Sequence, residues 1–280
     1  MAELEAVADE AVRRLREERL RVATNAWERL AARFERRVDT NTTEFFDRAE
    51  HPAHRKLRAI RWLHVQNLVL FSYRRFLGLL SPLIQIAVAS RSGGAARLLE
   101  LASGSGQLTL SLARLAARKN VPIELTGSDI VPAFVNDASE RARREEVAAR
   151  FRVLNAFDLS SSLREGEVDV AFIVQSLHHF TPGQLAMMIA QVGAAGARHF
   201  LGVDGRRSLS TVASLPALCM LSLDPYFTHD ALVSARRFYA EAELELIANL
   251  AAPGARVSVR SDRPFLSVLT VEYPQTRSGQ

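Results

Sequence analysis

The sequence predicts an α/β fold: a doubly wound, mostly parallel seven-stranded sheet with helices on both faces, a C-terminal antiparallel hairpin and an N-terminal helical cap. Three observations predict it. A short apolar run, Leu98-Leu99-Glu100-Leu101, opens into the turn Ala102-Ser103-Gly104-Ser105-Gly106-Gln107, after which Leu108, Leu110, Leu112 and Ala113 recur at helical spacing. That is a strand ending on a glycine turn before a helix, a place where backbone N–H groups meet ligands. Beyond it, short apolar runs alternate with amphipathic segments, as in successive βαβ units. The last two runs, 257–260 and 265–271, are separated by only four residues. A parallel crossover needs a dozen or more, so this pair is a hairpin.

Residues 2–38 carry Leu4, Ala8, Ala11, Leu15, Val22, Ala26, Leu30 and Phe34 as one apolar stripe between charged faces. A second helical segment starts near Thr43 and is interrupted at His51-Pro52; a third, from 55 to about 80, is more apolar and ends near Ser81-Pro82. Ser90-Arg91-Ser92-Gly93-Gly94 reads as a linker. Residues 1–92 are thus expected to form a helical cap or lid, because their apolar faces need a partner. The same faces suit a homodimer through the N-terminal helices. Residues 93–280 form the main domain, with strands at 97–101, 122–128, 151–154, 168–175 and 199–203 before the hairpin. Helices are expected at 132–146, 182–193 and 240–251, and 208–239 is an insertion placed to enclose an active site.

With 280 residues and 48% hydrophobic content the chain can bury a substantial core. Cys219 is its single cysteine, and the start Met1-Ala2-Glu3-Leu4-Glu5 lacks the basic and apolar regions of a signal peptide. A cytoplasmic location is expected. The uncharged run 76–90 is shorter than a membrane span and contains Pro82. The net charge of +5 comes entirely from residues 1–92, which hold 17 basic and 12 acidic residues; the rest is balanced at 19 of each. Basic residues interleaved with acids describe a solvated helix face, so no nucleic-acid partner is expected.

A dinucleotide fingerprint would place a third glycine where Thr109 stands, and a phosphate loop would continue into Gly-Lys-Ser/Thr, which is absent. The second strand ends on Asp129, in Gly127-Ser128-Asp129-Ile130, where a carboxylate can accept from both hydroxyls of a ribose. Its alternative role is to cap the next helix. The third strand is followed by Asn155-Ala156-Phe157-Asp158, which can equally be turn residues.

Glu100 followed by the small-Ser-Gly-Ser-Gly turn resembles the first motif of class I S-adenosylmethionine-dependent methyltransferases, and the likeness continues in order over residues 93–275. More narrowly, Val174-Gln175-Ser176-Leu177-His178-His179-Phe180, Val203-Asp204-Gly205-Arg206-Arg207-Ser208 and His229-Asp230 with Ser234-Ala235-Arg236-Arg237-Phe238 resemble bacterial small-molecule methyltransferases of the ubiquinone and menaquinone biosynthesis type. The resemblance implies S-adenosylmethionine as cofactor. It places Glu100, Ala102, Ser103, Gly104, Gly106, Asp129, Ile130, Asn155, Ala156, Phe157 and Gln175 around it. Asn155 stands where the family has an acid that accepts from the adenine amino group, and Asp158 is a second candidate for that contact. Ala102 stands where the family usually has glycine.

The loop after the fourth strand, Gln175-Ser176-Leu177-His178, lacks the Asn/Asp-Pro-Pro-aromatic motif of enzymes that methylate nucleobase or amide nitrogen. It also lacks the carboxylates of magnesium-dependent relatives, so no metal is expected. It offers imidazoles, the side chains that titrate near neutrality and can take a proton from a hydroxyl. His178 and His179 are the candidate bases, and His229, oriented by Asp230, is their rival. Each can instead cap or pack a helix. The expected activity is methyl transfer to the hydroxyl of a phenolic, quinone-like or polyketide small molecule. The alternatives are C-methylation, an NAD(P)-dependent oxidoreductase, and a non-catalytic cofactor-binding regulatory protein.

Overall fold

The computed structural model describes residues 1–22, 33, 53–91, 94–262 and 265–274. Apart from Arg33, the expected helical stretch 23–38 lies outside them, as do the segment near Thr43 and part of the linker. Seven strands form one sheet: β1 (Ala96–Glu100), β2 (Ile123–Asp129), β3 (Arg150–Val153), β4 (Val170–Val174), β5 (His199–Gly205), β6 (Arg256–Asp262) and β7 (Leu266–Glu272). Their order is β3-β2-β1-β4-β5-β7-β6. β1 to β5 run parallel, and β7 pairs antiparallel with both β5 and β6. The central strands read as continuous apolar runs because both of their faces are covered. Along β4, Val170, Phe172 and Val174 enter one core while Ala171 and Ile173 enter the other.

Eight α-helices carry the description through the same residues: α1 (Ala2–Val22), α2 (Ala53–Val69), α3 (Ser72–Ser90), α4 (Gln107–Arg118), α5 (Pro132–Arg144), α6 (Pro182–Ala194), α7 (Leu209–Met220) and α8 (Pro225–Arg237), with a ninth, α9 (Glu241–Ala251), before the hairpin. The third N-terminal segment, expected as one helix to about residue 80, is two. α2 and α3 meet at Phe71, whose φ of 54° breaks the helical path. α3 then passes through Pro82, where the sequence predicted an end. Proline inside a helix costs about 3 kcal/mol, whereas each large apolar side chain buried is worth roughly 1.5–3 kcal/mol. Leu77, Leu80, Leu83 and Ile84 are all buried on this helix and outweigh it.

The N-terminal helices serve different faces of the molecule. α1 buries Ala8 and Val12 against α6 and α9. Asp9 accepts from the backbone N–H of Gly183 at 2.7 Å, and a Cβ at Gly183 would collide with the Glu5 carbonyl. Arg16 reaches Glu243 at 2.7 Å, and Glu243 also pairs with the buried Arg207 at 2.5 Å. Burial pushes the Glu243 carboxyl up, but the Arg207 and Arg16 guanidiniums outweigh that and hold it below the usual range. α3 packs on the opposite face, with α4 and β1. The apolar stripe of α1 is thus covered at Ala8 and Val12 by its own chain.

The stretch 208–239, expected as an insertion of unspecified structure, is helical. Ser208 accepts from Thr211 N at the start of α7, and Asp224 accepts from Tyr226 N at 3.0 Å at the start of α8, with Pro225 in the first turn. These are ordinary helix starts.

Candidate active site

The C-terminal ends of β1, β2, β4 and β5 open on one cavity of about 550 Å³. In an open α/β sheet this is the edge where ligands bind. Its walls come from the strand ends, from α2 and α3, and from α7 and α8. No residue of α1 lines it.

On the β1 side lie Glu100, Ala102, Ser103, Gly104 and Ser105. Ala102, Gly104 and Gly106 all have φ between 50° and 70°. Ala102 therefore occupies the left-handed conformation that favours glycine, at a cost of about 1–2 kcal/mol for an L-residue. A Cβ on Gly104 would meet nothing within 4 Å, so this glycine leaves room on the ligand side. Gly106 acts differently from expectation. A Cβ there would lie 2.7 Å from Ala138 Cβ and 2.5 Å from the Phe151 ring, and its N–H is given to the Ser103 carbonyl at 2.9 Å. It is absent from the cavity wall and allows close packing of α4 on its neighbours. Thr109, where a dinucleotide site would have glycine, is buried and donates its hydroxyl to Glu100.

Glu100 is 3% exposed. Burial pushes its carboxyl up to about 8, the Asp129 charge adds to the rise, and only the Thr109 hydrogen bonds oppose it. This carboxyl has no cation to pair with among the described residues and faces the cavity. Asp129 accepts from Gly104 N at 2.8 Å through one oxygen and from Val131 N at 2.9 Å through the other. It therefore braces the glycine turn and the start of α5, and a carboxylate with about four lone-pair sites retains capacity for a ligand hydroxyl.

Ile130, Asn155, Ala156 and Phe157 do not line the cavity. Ile130 is 60% exposed at the end of β2. The Asn155 amide oxygen accepts from Phe157 N at 3.0 Å in a local turn, and Asp158 donates its N–H to the Asn155 carbonyl at 3.0 Å. Phe157 packs edge-on against Phe180, 5.8 Å between centroids, and Phe180 does line the cavity. Gln175 is in the wall, with φ of 57°, and its side-chain oxygen accepts from Asn67 on α2 at 2.8 Å.

The β4 and β5 ends carry the second chemical group. His178 is buried, and its Nδ1 lies 2.8 Å from Asp204 Oδ2, which also accepts the His178 backbone N–H at 2.9 Å. The other Asp204 oxygen accepts Gly205 N at 2.7 Å. A carboxylate fixed by two backbone donors holds the imidazole proton on Nδ1 and puts the lone pair on Nε2. His179 lies beside it, with ring centroids 4.3 Å apart, and both line the cavity. His229 does not. Its Nδ1 is 3.1 Å from Asp230, and Asp230 is the member of that pair in the wall. Sequence reasoning missed Asp204 as a partner, although it directly follows the strand predicted at 199–203. It also missed His64 and Tyr73, for which no local signal exists.

Within this fold, residues 98–198 match a family described as a methyltransferase domain. That match spans about a third of the chain. No curated protein matches the chain. The plantazolicin methyltransferase BpumL in complex with SAH superposes with a TM-score of 0.58 at 11% identity, over 78% of this chain and 90% of that chain. The plantazolicin methyltransferase BamL, bound to a triazolic desmethylPZN analog and SAH, gives 0.58 at 13% identity, over 80% of this chain and 92% of that chain. At such identities the likeness is one of fold. The family match ends at residue 198; β5, the α7–α8 stretch and the hairpin lie beyond it.

Proposed function

We propose that the protein is a class I S-adenosylmethionine-dependent methyltransferase acting on a small molecule, with the hydroxyl of a phenolic, quinone-like or polyketide acceptor as the methylated group. The observation that carries the reading is one cavity with two kinds of group in it. Glu100 and Asp129 stand at the ends of β1 and β2, and the Asp204–His178 pair stands at the ends of β4 and β5. A buried carboxyl that no described cation pairs with suits an ammonium, a carboxylate at the next strand end suits a ribose diol, and the open side of Gly104 leaves room between them. S-adenosylmethionine has both features and supplies an electrophilic methyl on sulfur.

The remaining work falls to the chain. His178 takes the acceptor proton at Nε2, Asp204 stabilises the imidazolium that results, and general-base catalysis of this kind is worth roughly 10²–10⁴ in rate. Leu63, Leu215, Phe227 and Phe238 make the acceptor side apolar and keep water out. The enclosing role expected of residues 1–92 and 208–239 falls to α2, α7 and α8. The relation to ubiquinone-type enzymes rests on the motif strings and the histidine pair.

The deciding assay is turnover with labelled S-adenosylmethionine against phenolic, quinone and polyketide acceptors. Label in an ether product that disappears in His178→Ala supports the reading. Label on carbon, at a rate His178→Ala leaves unchanged, contradicts the O-methylation part.

A further inference from the structure

Tyr73 and His64 line the cavity wall above β1, and the mechanism leaves them unused. Their hydrogen bonds have a direction that can be read. Arg141 can only donate, and it donates to the Gln107 side-chain oxygen. The Gln107 amide nitrogen therefore faces His64 Nε2, 3.2 Å away, and donates to it. With Nε2 accepting, the His64 proton sits on Nδ1, which lies 2.7 Å from the Tyr73 hydroxyl oxygen. The Tyr73 oxygen thus accepts from His64, and its own hydrogen can go to Ser111, to Asn67 or to a ligand in the cavity.

The positive charge of Arg141 reaches both His64 and Tyr73. Burial lowers the His64 pKa, and the charges of Arg141 and Arg114 lower it further, so His64 stays neutral within their positive field. Burial pushes the Tyr73 hydroxyl up to about 12, which keeps it protonated, and Asn67 and Ser111 also contact it. Glu100 is near enough for its charge to act on Tyr73. Three N–H groups of the glycine turn are already given to the protein. Ser103 N is given to Ser128 O at 2.8 Å, Gly104 N to Asp129 at 2.8 Å, and Gly106 N to Ser103 O at 2.9 Å. A hydroxyl donor beside a cation-seeking carboxyl is complementary to an α-amino acid zwitterion.

We propose that Tyr73 donates its hydroxyl hydrogen to the α-carboxylate of the cofactor while Glu100 takes the α-ammonium, with His64, Gln107 and Arg141 as positioning residues that set the direction of the Tyr73 hydroxyl. This rests on the S-adenosylmethionine reading of the cavity. It adds that α2 and α3 are part of the cofactor site as well as a wall for the acceptor.

The test is calorimetric titration of S-adenosylhomocysteine, its decarboxylated analogue and 5′-methylthioadenosine into the parent, Tyr73→Phe and His64→Ala. A hydrogen bond to a charged group predicts that Tyr73→Phe binds S-adenosylhomocysteine about 10- to 100-fold more weakly. The decarboxylated analogue and 5′-methylthioadenosine should bind within about 2-fold of the parent, because neither has the carboxylate. His64→Ala should show a smaller loss, also confined to S-adenosylhomocysteine. Equal loss for all three ligands, or no loss for any, overturns the assignment. Should Tyr73→Phe fail to fold, the ligand pattern of His64→Ala decides alone. A parent that binds none of the three ligands removes the cofactor reading itself, an outcome distinct from a parent that binds all three and a variant that does not discriminate.

Discussion

Replacing Glu100 by glutamine is expected to make the protein more stable at neutral pH and less able to bind its cofactor. The carboxyl is pushed from its ordinary value of 4.5 to about 8 by burial in a wall where no cation among the described residues answers it. Between those two values the folded chain holds a proton that the unfolded chain has released, so stability falls as pH rises from about 4.5 to about 8 and is level above that. At pH 7 the penalty is on the order of 3 kcal/mol, and at pH 5 it is below about 1 kcal/mol. Glutamine carries no charge and keeps an oxygen to accept the Thr109 hydroxyl, so Glu100→Gln escapes the penalty. Urea unfolding of parent and variant at pH 5, 6, 7 and 8 measures the difference directly. The two curves should nearly coincide at pH 5 and separate in favour of the variant up to pH 8. The same variant should bind S-adenosylhomocysteine at least about tenfold more weakly, since an ammonium loses its charged partner. A stability difference that does not change with pH, or a variant less stable than the parent at pH 7, would refute this account of Glu100.

Ala102→Gly should stabilise the chain by about 1 kcal/mol, because the position already has φ of 50°, and thermal unfolding with unchanged ligand affinity checks it. Gly106→Ala should destabilise, since its Cβ would press on Phe151 and Ala138; a loss of cofactor affinity at unchanged stability would instead favour a ligand-contact role. Glu243→Ala leaves the buried Arg207 without its carboxylate and should cost about 3–5 kcal/mol, read from denaturant midpoints. His178→Ala and Asp204→Asn should each lower turnover at least about a hundredfold with S-adenosylmethionine affinity within a few-fold. His229→Ala, outside the cavity wall, should have a small effect; a loss as large as that of His178→Ala would move the base to α8.

Much of the fold was legible because its central strands are covered on both faces. Runs such as Val170 to Val174 and Leu98 to Leu101 cannot sit on a surface, and the short link before Leu266 permits only a hairpin. What escaped were breaks decided by packing. Phe71 ends one helix and begins another without a proline or glycine, and Pro82 fails to end a helix whose apolar face is already buried. The Asp224-Pro225 start of α8 was readable as a cap followed by proline, yet no strong apolar period followed to call attention to it.

The site divides along the same line. Glu100 and Asp129 end strands and the His178 loop follows one, so their place at the ligand edge follows from sheet topology alone. Gly106 was assigned by its spacing from Gly104, but spacing cannot say whether a missing Cβ makes room for a ligand or for Phe151. His64 and Tyr73 belong to helices that precede the glycine turn in sequence, and only the docking of α2 and α3 brings them beside Gln107 and Glu100.

Titration of the parent protein with S-adenosylhomocysteine, and separately with NAD, tests the central claim most directly. One S-adenosylhomocysteine per chain should bind, and because Glu100 starts protonated below about 8, binding at pH 7 should release a proton, seen as a heat that depends on the ionisation enthalpy of the buffer. NAD should give no saturable heat. Saturable NAD binding with no response to S-adenosylhomocysteine would contradict the account.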